Sequence, residues 1–234
     1  MIVWLASFPR SGNSLLQTIL KGSFGLLSHE IYPPYSTESG NDLRELIGHV
    51  DEYLDLSEAA VSDHIYYVKT HDPPKDHAKA IYIVRDGRSA IVSYFHFLKD
   101  FTAERKSLED VVMGDCNFGS WTDHFKAWAP KQRPNTLLVH YEDMVRDRSY
   151  VIKPVAEFLE LPVLSSETPS FTELQAISPR FFRSGSDTAN VAELQGEALD
   201  LFWIMHGELM VELGYVDSAP TICDPASIPR WLRG

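Results

Sequence analysis

Residues 2–21 read IVWLASFPRSGNSLLQTILK. Ile2–Ser7 form a short apolar run, which Pro9, Ser11 and Gly12 interrupt. From Asn13 to Lys21 the apolar residues recur at helical spacing. This order predicts a strand, a tight loop and a helix at the very start of the chain. Backbone N–H groups at a helix N-terminus, backed by the helix dipole, suit phosphate or sulfate. The loop therefore reads as an anion cradle, although a plain turn before a capped helix remains the alternative. It is not a Walker A loop, whose form is G-x-x-x-x-G-K-[ST]. With Gly12 and Ser14 placed on the last Gly and the Ser, Ser7 stands at the first Gly and Asn13 at the Lys. The cation has moved to Arg10, inside the loop. A Walker lysine serves the β- and γ-phosphates, so its loss argues against an ordinary ATPase or kinase. It favours an anionic donor with a shorter chain and no metal.

Working outward, Ile65–Val68 is a second β-rich apolar run and ends in Lys69-Thr70-His71. Ala80–Val84 is a third and ends in Arg85-Asp86-Gly87-Arg88, with a helical stretch over 89–98. Thr136–Tyr141 is a fourth and leads into a helix through about residue 160, and a last helical pattern spans about 191–213. Strands that are nearly all apolar are buried on both faces. Strands separated by helices imply a parallel sheet with right-handed crossovers. The expected fold is α/β: a three-layer α/β/α sandwich around a central parallel sheet, P-loop NTPase-like. Ligands of such sheets bind outside the carboxyl ends of the strands. Arg10, Lys69 with His71, Arg85 and Tyr141 all fall at those ends. The stretches 23–62 and 163–190 read as loops with short helices, and no linker divides residues 1–234 into two domains.

The chain has 234 residues, with 21 Lys and Arg against 33 Asp and Glu, for a formal net charge of −12. Its 44% hydrophobic and 23% charged residues are ordinary globular usage, which argues against disorder. So acidic a chain has no overall attraction for nucleic acid or an anionic membrane. A small polyanion must instead be met by a local cluster of cations. Cys116 and Cys223 form neither a disulfide framework nor a metal pattern. The first residues lack a basic leader, and no run approaches a membrane span, so a cytoplasmic protein is expected.

Several segments in order resemble the sulfotransferases that use 3′-phosphoadenylyl sulfate (PAPS). VWLASFPRSGNSLLQTIL is similar to their 5′-phosphosulfate loop, and looks most like the bacterial branch. Tyr67–His71 resembles the K-T-H segment, Tyr82–Phe97 the 3′-phosphate motif, and Tyr141-Glu142-Asp143-Met144 the Y-E-D-[LM] segment. Phe182-Arg183-Ser184-Gly185 is similar to the late R-[KS]-G motif. The resemblance implies a P-loop-like fold and metal-free transfer of a sulfuryl group from PAPS to a hydroxyl or amine, releasing 3′,5′-ADP.

Carried over by position, the resemblance makes His71 the general base, a role that suits an imidazole neutral near pH 7. It makes Lys69 a charge for the moving sulfuryl group, and Arg10 the replacement of the family lysine at the 5′-phosphate and bridging oxygen. Arginine binds a phosphate edge bidentately but cannot give up a proton, so charge stabilisation is its part. Ser11, Gly12, Asn13 and Ser14 cradle the 5′-phosphate in this scheme. Arg85 and Ser93 bind the 3′-phosphate, Tyr141 approaches adenine, and Arg183, Ser184 and Gly185 close over the 3′-phosphate. The family's adenine-stacking Trp is Leu15 here, and Ser89 and the stretch after Gly185 also depart from the pattern. Trp121, Trp128 and Trp203 lie on helical patterns and read as core. The acceptor is expected to be a small, partly apolar molecule near His71, among Phe8, Tyr32, Tyr35, Phe95, Phe97 and Phe181. Two other readings stand beside this one: a small-molecule kinase with Asp86 as a Walker B acid, and a non-catalytic nucleotide-binding relative.

Overall fold

The computed structural model describes residues 1–32, 41–177, 179 and 191–220. Strand β1 (Ile2–Ser7) is buried along its whole length and leads into helix α1 (Asn13–Phe24). Gly25 ends α1 in the left-handed conformation at φ 67°, its N–H donating to the carbonyls of Leu20 and Lys21. A short strand β2 (Ser28–Glu30), then α2 (Asn41–Leu46) and α3 (Leu56–Val61), precede β3 (Tyr66–Thr70) and β4 (Lys79–Val84). After β4 come α4 (Gly87–Phe101), α5 (Leu108–Met113), α6 (Trp121–Trp128) and β5 (Thr136–His140). The chain continues through α7 (Tyr141–Arg146), α8 (Ser149–Leu159), α9 (Phe171–Ile177), a 3-10 turn at Val191–Glu193 and α10 (Gly196–Glu212).

The sheet has five strands among the described residues, in the order β2-β3-β1-β4-β5. Every pairing is parallel, with Leu5 opposite Lys69 on one side and Ile81 on the other. The expected parallel α/β sheet is therefore present, and flanking helices complete it. β1 sits between β3 and β4, which is why its sequence is a continuous apolar run. β2 is an addition: three residues, Ser-His-Glu, lack the apolar run that marks a strand and are held by pairing to β3. The helix expected up to residue 160 is two, because Asp147 adopts extended backbone at φ −158° between α7 and α8. The last helix begins at Gly196 rather than 191.

The described residues group into two compact units. The first takes those within 1–7, 11–85 and 128–185, the second those within 8–10, 86–127 and 186–234. The first holds the sheet and a core in which Leu15, Leu16, Ile19 and Leu20 of α1 join Val3, Leu5, Ile81 and Ile83. The second is helical. In it His206 of α10 is buried, its Nδ1 2.7 Å from Thr122 Oγ1 and its Nε2 3.0 Å from the Val112 carbonyl. Burial pushes this imidazole down to about 4, so it is a neutral link between α5, α6 and α10. Trp121 and Trp128 are core, as expected, whereas Trp203 is half-buried. No described helix is long and apolar enough to cross a membrane.

Candidate active site

The β1–α1 loop takes two left-handed residues, Arg10 at φ 64° and Gly12 at φ 104°. Gly12 is the N-cap of α1 and supplies no side-chain hydrogen bond, and no acidic residue lies in the first turn. The N-cap and first turn of α1 thus supply no anion of their own. Ser11 Oγ and Asn13 Oδ1 are buried and have no hydrogen-bond partner among the described residues. The Asn13 amide nitrogen instead donates to the Leu5 carbonyl at 2.8 Å and to Ser7 Oγ at 3.3 Å, stitching the helix start to β1. What Asn13 can offer an anion is then its backbone N–H. A Cβ on Gly12 would lie 2.5 Å from Cδ2 of Tyr141, so only glycine allows that ring to close on the loop.

At the end of β3, His71 is buried. Its Nδ1 lies 2.7 Å from the Ser7 carbonyl and 3.4 Å from Ser7 Oγ. A carbonyl only accepts, so Nδ1 carries the proton, and in the neutral imidazole the lone pair is then on Nε2. The Tyr32 ring stacks on the imidazole, with centroids 5.7 Å apart and planes 12° apart. Lys69 forms an ion pair with Glu30, its register partner on β2, and both are largely buried. Sequence reasoning gave Glu30 no role, because no strand was expected at residues 28–30 to place it opposite Lys69.

At the end of β4, Arg85 is buried with its guanidinium 4.3 Å from the centre of the Tyr141 ring. Tyr141 therefore lies between Gly12 and Arg85, and is itself buried. The first unit thus gathers Ser11, Gly12, Asn13, Tyr141, Arg85 and His71 around the ends of β1, β3 and β4. Ser14 is buried in the first turn of α1, and Leu15 packs in the apolar cluster.

In the second unit, Arg10 Nε donates to Ser93 Oγ at 3.3 Å and its guanidinium lies 5.4 Å from the Phe97 ring centre. Phe8 is fully buried against Tyr94, at 5.6 Å in an edge-to-face contact, which makes it packing rather than an exposed lining residue. Asp86 caps α4 by accepting the Arg88 N–H at 2.9 Å. It also takes the Arg88 fork, at 3.0 Å from Nε and 2.6 Å from the far nitrogen. Arg183, Ser184 and Gly185, with Tyr35 and Phe181, lie outside the described residues.

A family model described as sulfotransferase domain matches residues 2–178. Mouse sulfotransferase 1E1 is 37% identical over 108 residues, 40% of this chain and 37% of that protein. Human sulfotransferase 4A1 is 26% identical over 197 residues, 73% of this chain and 64% of that protein. The chain thus spans between about a third and two thirds of the length of these curated relatives. Among solved structures, mouse sulfotransferase SULT7A1 complexed with PAP aligns with a TM-score of 0.64 at 22% identity, over 89% of this chain and 83% of that one. Retinol dehydratase in complex with androsterone and inactive cofactor PAP aligns with a TM-score of 0.60 at 19% identity, over 95% and 82%. At such identities these two are likenesses of fold.

Proposed function

Since the chain belongs to the sulfotransferase domain family, we propose that it transfers a sulfuryl group from PAPS to a hydroxyl or amine of a small organic acceptor. The observation that carries this reading is the 2.7 Å contact between His71 Nδ1 and the carbonyl of Ser7. It ties a base with its lone pair on Nε2 to the last residue of the strand that feeds the anion loop. The donor supplies a sulfuryl group on a phosphate leaving group. For a hydroxyl acceptor, His71 Nε2 takes the proton while the acceptor oxygen bonds to sulfur. The bond from sulfur to the bridging oxygen breaks, and its electron pair leaves with 3′,5′-ADP. Such base catalysis contributes about 10²–10⁴-fold.

The residues present fit the donor. The uncapped start of α1 and the orphaned Ser11 hydroxyl suit the 5′-phosphate, with Gly12, Asn13 and Ser14 contributing backbone N–H groups. Arg85, stacked on Tyr141, is assigned to the 3′-phosphate, as is Ser93, which is hydrogen-bonded to Arg10. Lys69 brings positive charge to the end of β3, tempered by Glu30. We assign Tyr141 and Leu15 to the adenine side, and Arg183, Ser184 and Gly185 to the 3′-phosphate. The androsterone in the retinol dehydratase complex supports a partly apolar acceptor. The kinase alternative needs Asp86 for a metal, and its carboxylate is already engaged by Arg88 and the start of α4.

Thermal denaturation with 3′,5′-ADP, 5′-AMP and ATP–Mg²⁺ tests the donor class. A ligand at 100 times its Kd stabilises by about 2.7 kcal/mol. 3′,5′-ADP is expected to raise the melting temperature well above 5′-AMP at equal concentration. Equal shifts from the two would sink the reading, and a larger shift from ATP–Mg²⁺ would select the kinase.

A further inference from the structure

We propose that Tyr32 is the positioning residue of His71, holding the imidazole by its face while its hydroxyl fixes the backbone that carries it. The two side chains stack with 12° between their planes. The same phenol oxygen accepts the His71 N–H at 2.6 Å and the Asp72 N–H at 3.1 Å. It also lies 3.3 Å from Thr70 Oγ1 and 3.3 Å from Asp72 Oδ1, the acceptor for its own proton. Burial raises the Tyr32 hydroxyl to about 12, so the proton needed for that last contact stays in place.

Three restraints therefore converge on one residue. Stacking sets the plane of the ring. The contact of Nδ1 with the Ser7 carbonyl sets its rotation and tautomer. The Tyr32 hydroxyl fixes the turn at residues 71 and 72, which Trp128 Nε1 also anchors by donating to the Asp72 carbonyl at 2.9 Å. A core aromatic that only fills space makes apolar contacts with many neighbours. Tyr32 directs its ring to the imidazole of the candidate base and its hydroxyl to the backbone of that residue and of the next, Asp72. A catalytic group must be held close to its productive geometry, since about 1 Å of misplacement costs roughly 100-fold in rate.

This inference rests on the sulfuryl-transfer reading for its meaning, but its test includes a readout that needs no turnover. Tyr32→Phe keeps the stack and removes the hydroxyl; Tyr32→Leu removes both. With PAPS and 2-naphthol as probe substrates, kcat is expected to fall about 10-fold in Tyr32→Phe and about 100-fold in Tyr32→Leu, with the KM for PAPS within about twofold of wild type. In full-length protein labelled with ¹⁵N-histidine, the His71 imidazole should show one Nδ1–H tautomer in the wild type and a mixture in Tyr32→Leu. Should Tyr32→Leu fail to fold, Tyr32→Phe decides by the same kcat-against-KM split and by broadening of the His71 signals. Unchanged kcat together with unchanged imidazole signals overturns the proposal. A wild type stabilised equally by 3′,5′-ADP and 5′-AMP overturns the activity reading instead, and the imidazole spectrum still decides the role of Tyr32.

Discussion

Two neighbouring strands, β1 and β4, each turn directly into a helix, and the two junctions are built in opposite ways. At the start of α4 the chain supplies its own anion: Asp86 caps the first turn and is gripped by the Arg88 fork. At the start of α1 it supplies none, since Gly12 caps without a side chain and the first turn has no acid. A side-chain cap is worth about 1 kcal/mol, and a charge complementing the helix dipole about 0.3–1 kcal/mol. α1 forgoes both. A helix start closed by its own carboxylate repels a second anion, whereas the open one attracts it. The difference supports the proposed assignment of the donor's 5′-phosphate to the β1 loop rather than the β4 loop, although both loops end a strand of the same sheet.

The largest expected effect comes from closing the open junction by force. Gly12→Ala puts a Cβ 2.5 Å from Tyr141 Cδ2 and 3.1 Å from Met144 Cε, at a backbone φ of 104°. Left-handed strain costs about 1–3 kcal/mol and overpacking about as much again. Urea denaturation should show a loss of about 2–6 kcal/mol, with 3′,5′-ADP binding lost as the loop is pushed off Tyr141. Wild-type stability in this variant would mean that the open junction does not depend on the contact between Gly12 and Tyr141.

The same contrast explains how much could be read from the sequence. β1, β3, β4 and β5 were legible because each is a run of mostly apolar residues, and their polar ends then stand out. Arg10, His71 and Arg85 were singled out as candidates that way. β2 was not legible: Ser28-His29-Glu30 is a strand only because β3 lies beside it. With β2 unseen, nothing put Glu30 opposite Lys69 or Tyr32 over His71. The closed state of the α4 junction was also hidden, because Asp86 reads equally as a cap or a metal ligand until Arg88 is seen folded back on it. α5 carried a local signal that went unread, the capping box of Ser107 and Asp110.

The next effect opens the closed junction. Asp86→Ala removes the cap of α4 and leaves the partly buried Arg88 guanidinium without its carboxylate. The cap is worth about 1 kcal/mol and the abandoned charge about 1–3 kcal/mol, so urea denaturation should report a loss of about 2–4 kcal/mol. The affinity for 5′-AMP, measured by calorimetry under folding conditions, is expected to move less than about threefold, since the 5′-phosphate is assigned to the start of α1 and this ligand lacks the 3′-phosphate assigned to Arg85 and Ser93. Loss of affinity on the scale of the stability change would mean that the two junctions act as one.

The smallest change in stability, with the sharpest meaning, is expected at Ser11. Its hydroxyl is fully buried and has no partner among the described residues, so the free protein bears the cost of its desolvation and gains nothing from it. Ser11→Ala should leave stability without ligand equal to wild type or higher by about 1 kcal/mol. A hydrogen bond to a charged group is worth about 1.5–3 kcal/mol, so the affinity for 3′,5′-ADP should fall about 10-fold or more. Ser11→Ala and Asp86→Ala then form a crossed pair: one spares stability and costs binding, the other costs stability and spares binding. A Ser11→Ala protein that binds 3′,5′-ADP as the wild type does would place the anion elsewhere and leave the uncapped start of α1 without a ligand to account for it.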